Sequence, residues 1–218
     1  LNNGFSSKDI KENPSLLSKL NFDFVYTSAK IEGNTYTVGE ALTLLEDRIA
    51  TSGKKVDEAI MLLNLKNAST YIFDQQPKIS KRTLQDIHKI VTTNLLEPID
   101  TGNVRRKNVH IKGTDYLPLQ SPLLLEIELD KMLEKYHNIN NPYDRAVYLH
   151  NNLCYLQYFE DGNKRTARLA QNLSLMRDNQ IFISFSATRN ETITADYKTS
   201  VITYYEQGNY DLYKSFFI

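Results

Sequence analysis

Helix-breaking residues are scarce in this chain, which has 8 glycines and 6 prolines among 218 residues. Both counts lie below the average usage of roughly 7% and 5%, so few positions interrupt the long stretches with helical periodicity. The composition, 41% hydrophobic and 24% charged, is typical of a globular protein with a sizeable core and excludes a disordered chain. We therefore predict an all-α fold, a helical bundle that contains one short β-hairpin.

Capping signals indicate where the helices begin. Thr37 and Glu40 match a T-x-x-E capping box before a helix over residues 38–48. A second helix is predicted over 55–73, and residues 74–79 break the periodicity, so we divide the chain into an N-terminal helical segment, 1–79, and a core, 80–218. Within the core, helices are predicted after Ser80 and over 122–136, 142–158, 192–206 and 211–217, with Asn190 as a further N-cap.

The predicted hairpin lies at residues 108–118. Apolar and polar residues alternate there on both sides of a turn that contains Gly113. An isolated hairpin is marginally stable, so we expect the surrounding helices to support it.

Charge and cysteine content limit the classes of partner and compartment. Lys+Arg and Asp+Glu both number 26, so the chain has no bulk positive field, and we predict no direct nucleic acid or membrane partner. Its apolar runs are also far shorter than the about 20 residues of a membrane span. The single cysteine, Cys154, cannot close an intramolecular disulfide, which favours a reduced, cytoplasmic protein.

The segment with the most chemical information is 157–168, Gln-Tyr-Phe-Glu-Asp-Gly-Asn-Lys-Arg-Thr-Ala-Arg. A turn through Gly162 and Asn163 can direct successive backbone N–H groups to one point, and the helix that follows adds its unpaired donors. Arg165 and Arg168 are three residues apart, so they share a helix face and can hold different phosphates. The pattern predicts a phosphate site.

Asp161 supplies a carboxylate at the edge of this loop, the type of ligand that Mg²⁺ prefers beside phosphates. The alternative is a helix–turn–helix junction without a ligand. In that case Asp161 or Asn163 caps the second helix, and both arginines are solvated. Local chemistry alone leaves the two interpretations open.

Residues 157–168 resemble the signature of the Fic family, H-x-F-x-[D/E]-G-N-x-R-x-x-R, whose members transfer AMP from ATP to protein hydroxyls. The likeness covers about residues 80–218 and implies the Fic (Fido) fold, ATP and Mg²⁺ as cofactors, and a protein substrate of unspecified identity. Six of the seven specified positions match, namely Phe159, Asp161, Gly162, Asn163, Arg165 and Arg168.

The resemblance also implies a role for each residue. Asp161 would hold Mg²⁺, the backbone of Gly162, Asn163 and Lys164 would bind the α- and β-phosphates, and Arg165 and Arg168 would bind the β- and γ-phosphates. The hairpin would be the flap that positions the target by strand addition, with Val109, His110, Ile111 and Lys112 as its target-contacting residues. A structural hairpin without a partner is the alternative.

The position that departs from the signature is Gln157, where the family has its catalytic histidine. A carboxamide neither accepts nor releases a proton near neutral pH, and general-base catalysis typically contributes about 10² to 10⁴ in rate. AMP transfer should then be slow or absent unless another base substitutes. His150, on the preceding helix, would lie roughly 10 Å away along the axis, so we expect it to be a hydrogen-bonded core residue.

Lys164 is a second unusual feature of the loop. Glycine is usual there in AMP-transferring members, whereas the related Doc toxin, a protein kinase, has Asn-Lys-Arg at this point. A side chain at position 164 could crowd the nucleotide and alter how it binds.

A second motif precedes the core. The residues from Ser28 to Gly33 resemble the Fic inhibitory motif [S/T]-x-x-x-E-[G/N], in which the glutamate pairs with the second arginine of the signature. Here Glu32 would pair with Arg168, and Ser28 would hold the helix in register. The alternative is an ordinary helix end terminated by Gly33, although a glutamate in a last turn faces the negative end of the helix dipole and favours a cationic partner.

The leading interpretation is a protein adenylyltransferase that is inhibited by its own Glu32 and weakened by Gln157. A catalytically inactive module of the same fold that binds a nucleotide or a partner is the alternative. Another phosphate-transfer chemistry of this fold, phosphorylation or phosphocholine transfer, is a third.

Overall fold

The computed structural model of the chain describes residues 12–180, 182–184 and 193–215. These residues contain nine helices and no strand, which confirms the all-α prediction. The helices are α1 (Pro14–Ile31), α2 (Val38–Asp47), α3 (Val56–Gln75), α4 (Lys81–Thr92), α5 (Pro122–Asn138), α6 (Pro142–Leu156), α7 (Asn163–Arg177), α8 (Ile193–Gln207) and α9 (Asp211–Lys214).

Side-chain caps fix several of the helix starts. Both bonds of the capping box before α2 are present, because the Thr37 hydroxyl accepts from the Glu40 N–H at 3.3 Å and the Glu40 carboxylate accepts from the Thr37 N–H at 2.7 Å. The Ser80 hydroxyl accepts from the Thr83 N–H before α4. The predicted cap at Asn190 lies outside the described residues.

Helix α1 carries the motif from Ser28 to Gly33 at its C-terminal end. It begins at Pro14, where the Asn13 side chain accepts from the Leu16 N–H, and it ends at Ile31, just before Gly33 at φ +91°. The N-terminal helices pack against the rest of the chain: α1 lies against α3 and α8, and α3 lies against α4. One continuous apolar cluster runs from α1 to α9.

Helix α7 is the buried centre of the fold. It packs most extensively against α6, and α4 covers another side. Every residue from Asn163 to Met176 is buried except Lys164. The predicted phosphate loop therefore precedes a helix that is fixed on all sides, and the Lys164 side chain is the one in that run that remains accessible.

The prediction of a β-hairpin at 108–118 was wrong. The chain turns at 112–114, but residues 101–121 contain no strand. Arg105 explains the difference, because its guanidinium lies between the two arms and donates to the carbonyls of Lys107, on one side, and Leu119, on the other. Side-chain-to-backbone bonds thus replace the ladder that the alternating pattern suggested. We keep the name flap for residues 108–118.

The helices in the described part of the chain include none with the length and hydropathy that a bilayer crossing requires.

Candidate functional site

A cavity of about 440 Å³ lies between the end of α1, the flap, the loop before α7, and α8. It brings together residues that the sequence analysis selected from three separate segments. Ser28, Arg165 and Arg168 do not line it but lie buried behind its wall. The predicted residues that do line it are Glu32, Val109, His110, Ile111, Lys112, Gln157, Asp161, Gly162, Asn163 and Lys164.

The N-terminus of α7 opens at this cavity without a side-chain cap. Its N-cap is Gly162, at φ +74°, where a Cβ atom would lie 3.0 Å from Cγ2 of Thr92. A side chain at this position would be strained and crowded. Because the first backbone N–H groups of an α-helix have no partner within the helix, an uncapped N-terminus attracts an anion.

Asn163 closes the loop with its side chain. Its Oδ1 accepts from the Phe159 N–H at 2.9 Å, and its Nδ2 donates to the Phe159 carbonyl at 2.8 Å and to Oε1 of Gln157 at 3.2 Å. The side-chain amide therefore holds the loop in shape. Of the polar groups of Asn163, its backbone N–H is then the donor available to a ligand.

His88 supports the loop from behind and was missed by the sequence analysis. Its ring stacks on Phe159 with centroids 3.8 Å apart, its Nδ1 accepts from the Gly102 N–H at 2.7 Å, and its Nε2 lies 2.8 Å from the Asp161 carbonyl. Since Nδ1 is an acceptor, Nε2 must carry the proton and the ring must be neutral. Burial agrees, since it lowers the pKa of His88 to about 4.

Arg165 is almost fully buried beneath the loop. Its Nη2 donates to Oδ2 of Asp161 at 2.9 Å, and its Nη1 donates to the Val91 carbonyl at 3.3 Å. The Asp161 side chain is 66% exposed, so its carboxylate can still contribute to a metal ion. The described residues hold no cluster of three metal-binding side chains.

Arg168 is held on three sides by donated hydrogen bonds. Nη2 reaches Oε1 of Glu32 at 2.8 Å and the Ser28 carbonyl at 3.2 Å, while Nε reaches the Ser28 hydroxyl at 3.1 Å. Nη1 donates to the Tyr197 hydroxyl on α8 at 3.2 Å. The pairing of Glu32 with Arg168 that the resemblance implied is thus a contact of the fold, whereas its inhibitory effect stays a prediction.

The carboxylate of Glu32 is negatively charged and lines the cavity. Burial alone would raise the pKa of its carboxyl, but the charges of Arg168, Lys164 and Arg165 outweigh burial and hold that pKa below its ordinary value. Its side chain is 19% exposed. A ligand phosphate in the cavity would therefore meet a carboxylate as well as the helix N-terminus.

Gln157 ends α6 in a left-handed conformation, at φ +48°. Its side-chain Nε2 donates to the Cys154 carbonyl at 2.6 Å, and its Oε1 accepts from Asn163. Both ends of the amide are therefore engaged, so the side chain is oriented but has no group that can take a proton.

His150 and Cys154 are core residues that do not line the cavity. Nε2 of His150 lies 2.9 Å from the Tyr197 hydroxyl, and its ring stacks on Tyr213. Burial lowers the pKa of His150 well below its ordinary value, and burial raises the pKa of the Cys154 thiol to about 12. Neither residue is placed to act on a ligand.

Helix α8 forms a wall of the cavity that the sequence analysis did not identify. Lys198, Val201, Ile202 and Tyr205 line it from one helix face, and Glu160 lines it from the loop. The four α8 residues have helical spacing in the sequence, but a helix face that lines a cavity has the same period as one that packs on the core. Along the described residues, Lys112, Lys164 and Lys198 make no ion pair or hydrogen bond, so they add unpaired positive charge to the cavity.

Comparisons with known proteins identify the family of the chain. Residues 78–175 match the model of the Fic/DOC family. The protein named "Protein adenylyltransferase Fic" from Drosophila persimilis is 33% identical over 160 residues, which are 72% of this chain and 31% of that protein. Its namesake from Drosophila melanogaster is 32% identical over 160 residues, with 72% of this chain and 32% of that protein covered. The chain thus spans about a third of the length of these relatives.

Solved structures with the same fold cover nearly the whole chain. Fic-1 (residues 134–508) from C. elegans superposes with a TM-score of 0.76 at 23% identity, covering 95% of this chain and 63% of that one. A Fic family protein from Desulfovibrio desulfuricans G20 superposes with a TM-score of 0.78 at 19% identity, covering 94% and 62%. The chain belongs to the Fic/DOC family and has the Fic fold.

Proposed function

We propose that the cavity binds ATP with Mg²⁺ and transfers AMP to a hydroxyl group of a protein substrate, and that Glu32 restrains this reaction. The observation that carries the proposal is the convergence of the uncapped α7 N-terminus with Lys164 and Lys198 in one cavity beneath the flap. The relatives' name supports the same reaction, although it describes those longer proteins.

In this proposal the loop residues bind the phosphates. The backbone N–H groups of Gly162, Asn163 and Lys164 face the α- and β-phosphates. Arg165 contributes its charge to the β-phosphate from beneath the loop. Asp161 holds Mg²⁺, which neutralises charge on the phosphate oxygens when it is bound.

Glu32 restrains the site through Arg168. The arginine that would bind the γ-phosphate already donates to the Glu32 carboxylate, and the same carboxylate lines the cavity. A γ-phosphate must displace Glu32 from Arg168 and also approach its negative charge. Removal of the carboxylate should therefore favour the binding of a nucleoside triphosphate.

The flap is proposed to position the substrate protein. Residues 108–111 make no backbone-to-backbone hydrogen bond within the described part of the chain. The Val109 carbonyl accepts from Nε2 of Gln120 at 3.5 Å. An extended segment of a substrate can pair with backbone groups that form no backbone-to-backbone ladder, which would bring its hydroxyl over the loop. The division into 1–79 and 80–218 and the cytoplasmic location stay predictions.

A second candidate function is favoured by Gln157. Because its amide is engaged at both ends and cannot act as a base, the same cavity could bind a nucleotide without turnover. The protein would then be a binding module whose state depends on the nucleotide.

Labelling distinguishes these functions. Glu32→Ala is incubated with ATP labelled at the α- or the γ-phosphate, beside the parent and beside Glu46→Ala, which removes the same charge at an exposed position on α2. Incorporation of α-label in Glu32→Ala alone is the expected result. Incorporation of γ-label indicates phosphorylation, ATP binding without label indicates the binding module, and the absence of ATP binding refutes the site.

A further inference from the structure

Of the four histidines in the chain, one can be reached by a substrate in the cavity. His88 is buried behind the loop with both ring nitrogens engaged, and His150 is fully buried away from the cavity. His137 is exposed at the end of α5 and does not line the cavity. His110 is exposed on the flap, lines the cavity, and makes no hydrogen bond to a described residue.

The other polar groups of the cavity are poorly suited to accept a proton. Glu32 is paired with Arg168, Glu160 with Lys107 at 3.3 Å, and Asp161 with Arg165. The ammonium groups of lysines have no lone pair to offer. The imidazole of His110 has a ring nitrogen that can accept a proton, and imidazole is the most frequent general base in enzymes.

The position of His110 also suits the direction of the reaction. In the proposed function the phosphates bind at the α7 N-terminus, and the flap lines the same cavity. Just beyond His110, the chain turns at Gly113, where a Cβ atom would lie 3.7 Å from Ile202 on α8. The flap therefore meets α8 beside the cavity, and a hydroxyl bound between the flap and the phosphates would lie near His110.

We propose that His110 accepts the proton of the substrate hydroxyl, in place of the histidine that position 157 lacks. This inference rests on the proposed function. The hydroxyl proton passes to a ring nitrogen of His110 while the oxygen forms a bond to the α-phosphorus of ATP. The bond from that phosphorus to the bridging oxygen of the β-phosphate breaks, pyrophosphate leaves, and the imidazolium returns its proton to water.

Gln157 has a complementary role in this scheme. Its amide is fixed by Cys154 and Asn163, so it keeps the loop in shape without competing for the proton. Exchange of the general base between two positions should then be possible. A histidine placed at 157 would take over the role and make His110 dispensable.

The test uses the α-label assay in the Glu32→Ala background. His110→Gln should lower the labelling rate by about 10²-fold or more, the usual contribution of a general base. His137→Gln, the same exchange at an exposed position away from the cavity, should leave it unchanged. Calorimetry should show that both variants bind ATP–Mg²⁺ with the affinity of Glu32→Ala. In a third variant, His110→Gly, added imidazole should restore part of the labelling activity.

Adding Gln157→His separates the failure of this inference from that of the proposed function. With Gln157→His present, His110→Gln should no longer reduce labelling. If Glu32→Ala labels only after Gln157→His is added, the inference is overturned and the proposed site stands. Undiminished labelling in His110→Gln alone also overturns the inference. If neither Glu32→Ala nor Glu32→Ala with Gln157→His incorporates α-label, both the inference and the proposed transfer are wrong.

Discussion

His88 should make the free energy of unfolding of the protein depend on pH. Its folded-state pKa of about 4 lies below the ordinary value of 6.5, because the ring is buried and its Nδ1 faces the Gly102 N–H. As the pH falls, the unfolded chain therefore binds this proton before the folded chain does. The contribution to stability is complete above about pH 6.5 and is lost progressively between that pH and about 4.

The size of the effect follows from the shift. A difference of about 2.5 pKa units corresponds to about 3 kcal/mol in total, of which about 2 kcal/mol is lost between pH 7 and pH 5. His88 is fully buried, so solvent screening does not reduce this figure. Protonation would also turn Nδ1 into a second donor against the Gly102 N–H and so break the bond between His88 and Gly102.

Urea unfolding at pH 7 and pH 5 measures this contribution. His88→Gln removes the titrating group but keeps an amide that can donate to the Asp161 carbonyl. Carboxylates such as Glu32 destabilise both proteins as the pH falls, so the informative quantity is the difference between them. The loss from pH 7 to pH 5 should be about 2 kcal/mol smaller in His88→Gln than in the parent. Equal losses would refute the argument that His88 is held neutral.

Three further substitutions test the architecture of the site. Gly162→Ala places a Cβ atom at positive φ and 3.0 Å from Thr92, so urea unfolding should show a loss of about 1–2 kcal/mol, and calorimetry should show weaker ATP binding. Arg105→Lys removes the planar group that bridges the two arms of the flap, so backbone amides at 108–118 should exchange hydrogen at least several-fold faster, while those of α7 keep their protection. Tyr197→Phe removes the hydroxyl that accepts from Arg168 and should lower the free energy of unfolding by about 1.5–3 kcal/mol, the usual value for a hydrogen bond to a charged group.

Local signals predicted the helices well. The capping box of Thr37 and Glu40 and the serine before α4 each act within one helical turn, so sequence spacing alone is enough to recognise them. The start of α1 carried a similar signal, Asn13 before Pro14, which the sequence analysis did not use. The prediction of a hairpin in the flap failed because the backbone conformation there depends on Arg105, a buried residue outside the alternating pattern.

The candidate site was predictable where its residues form a contiguous motif. Asp161 to Arg168 could be recognised together, and the pairing of Glu32 with Arg168 followed from the family resemblance. The contributions of His88 and Lys198 could not be found in this way, because they come from α4 and α8 and meet the loop only through tertiary packing. No periodicity distinguishes such residues from the other polar residues of their helices.

In the proposed function, Glu32 occupies the arginine that a γ-phosphate would otherwise bind. Calorimetric titration of the parent, Glu32→Ala and Glu46→Ala with ATP–Mg²⁺ and with ADP–Mg²⁺ tests it most directly. A charge-assisted hydrogen bond contributes about 1.5–3 kcal/mol, so Glu32→Ala should bind ATP about 10-fold to 100-fold more tightly than the parent, with a much smaller gain for ADP and none for Glu46→Ala. An equal gain for ATP and ADP, or no gain for either, would show that Glu32 does not compete with a γ-phosphate for Arg168.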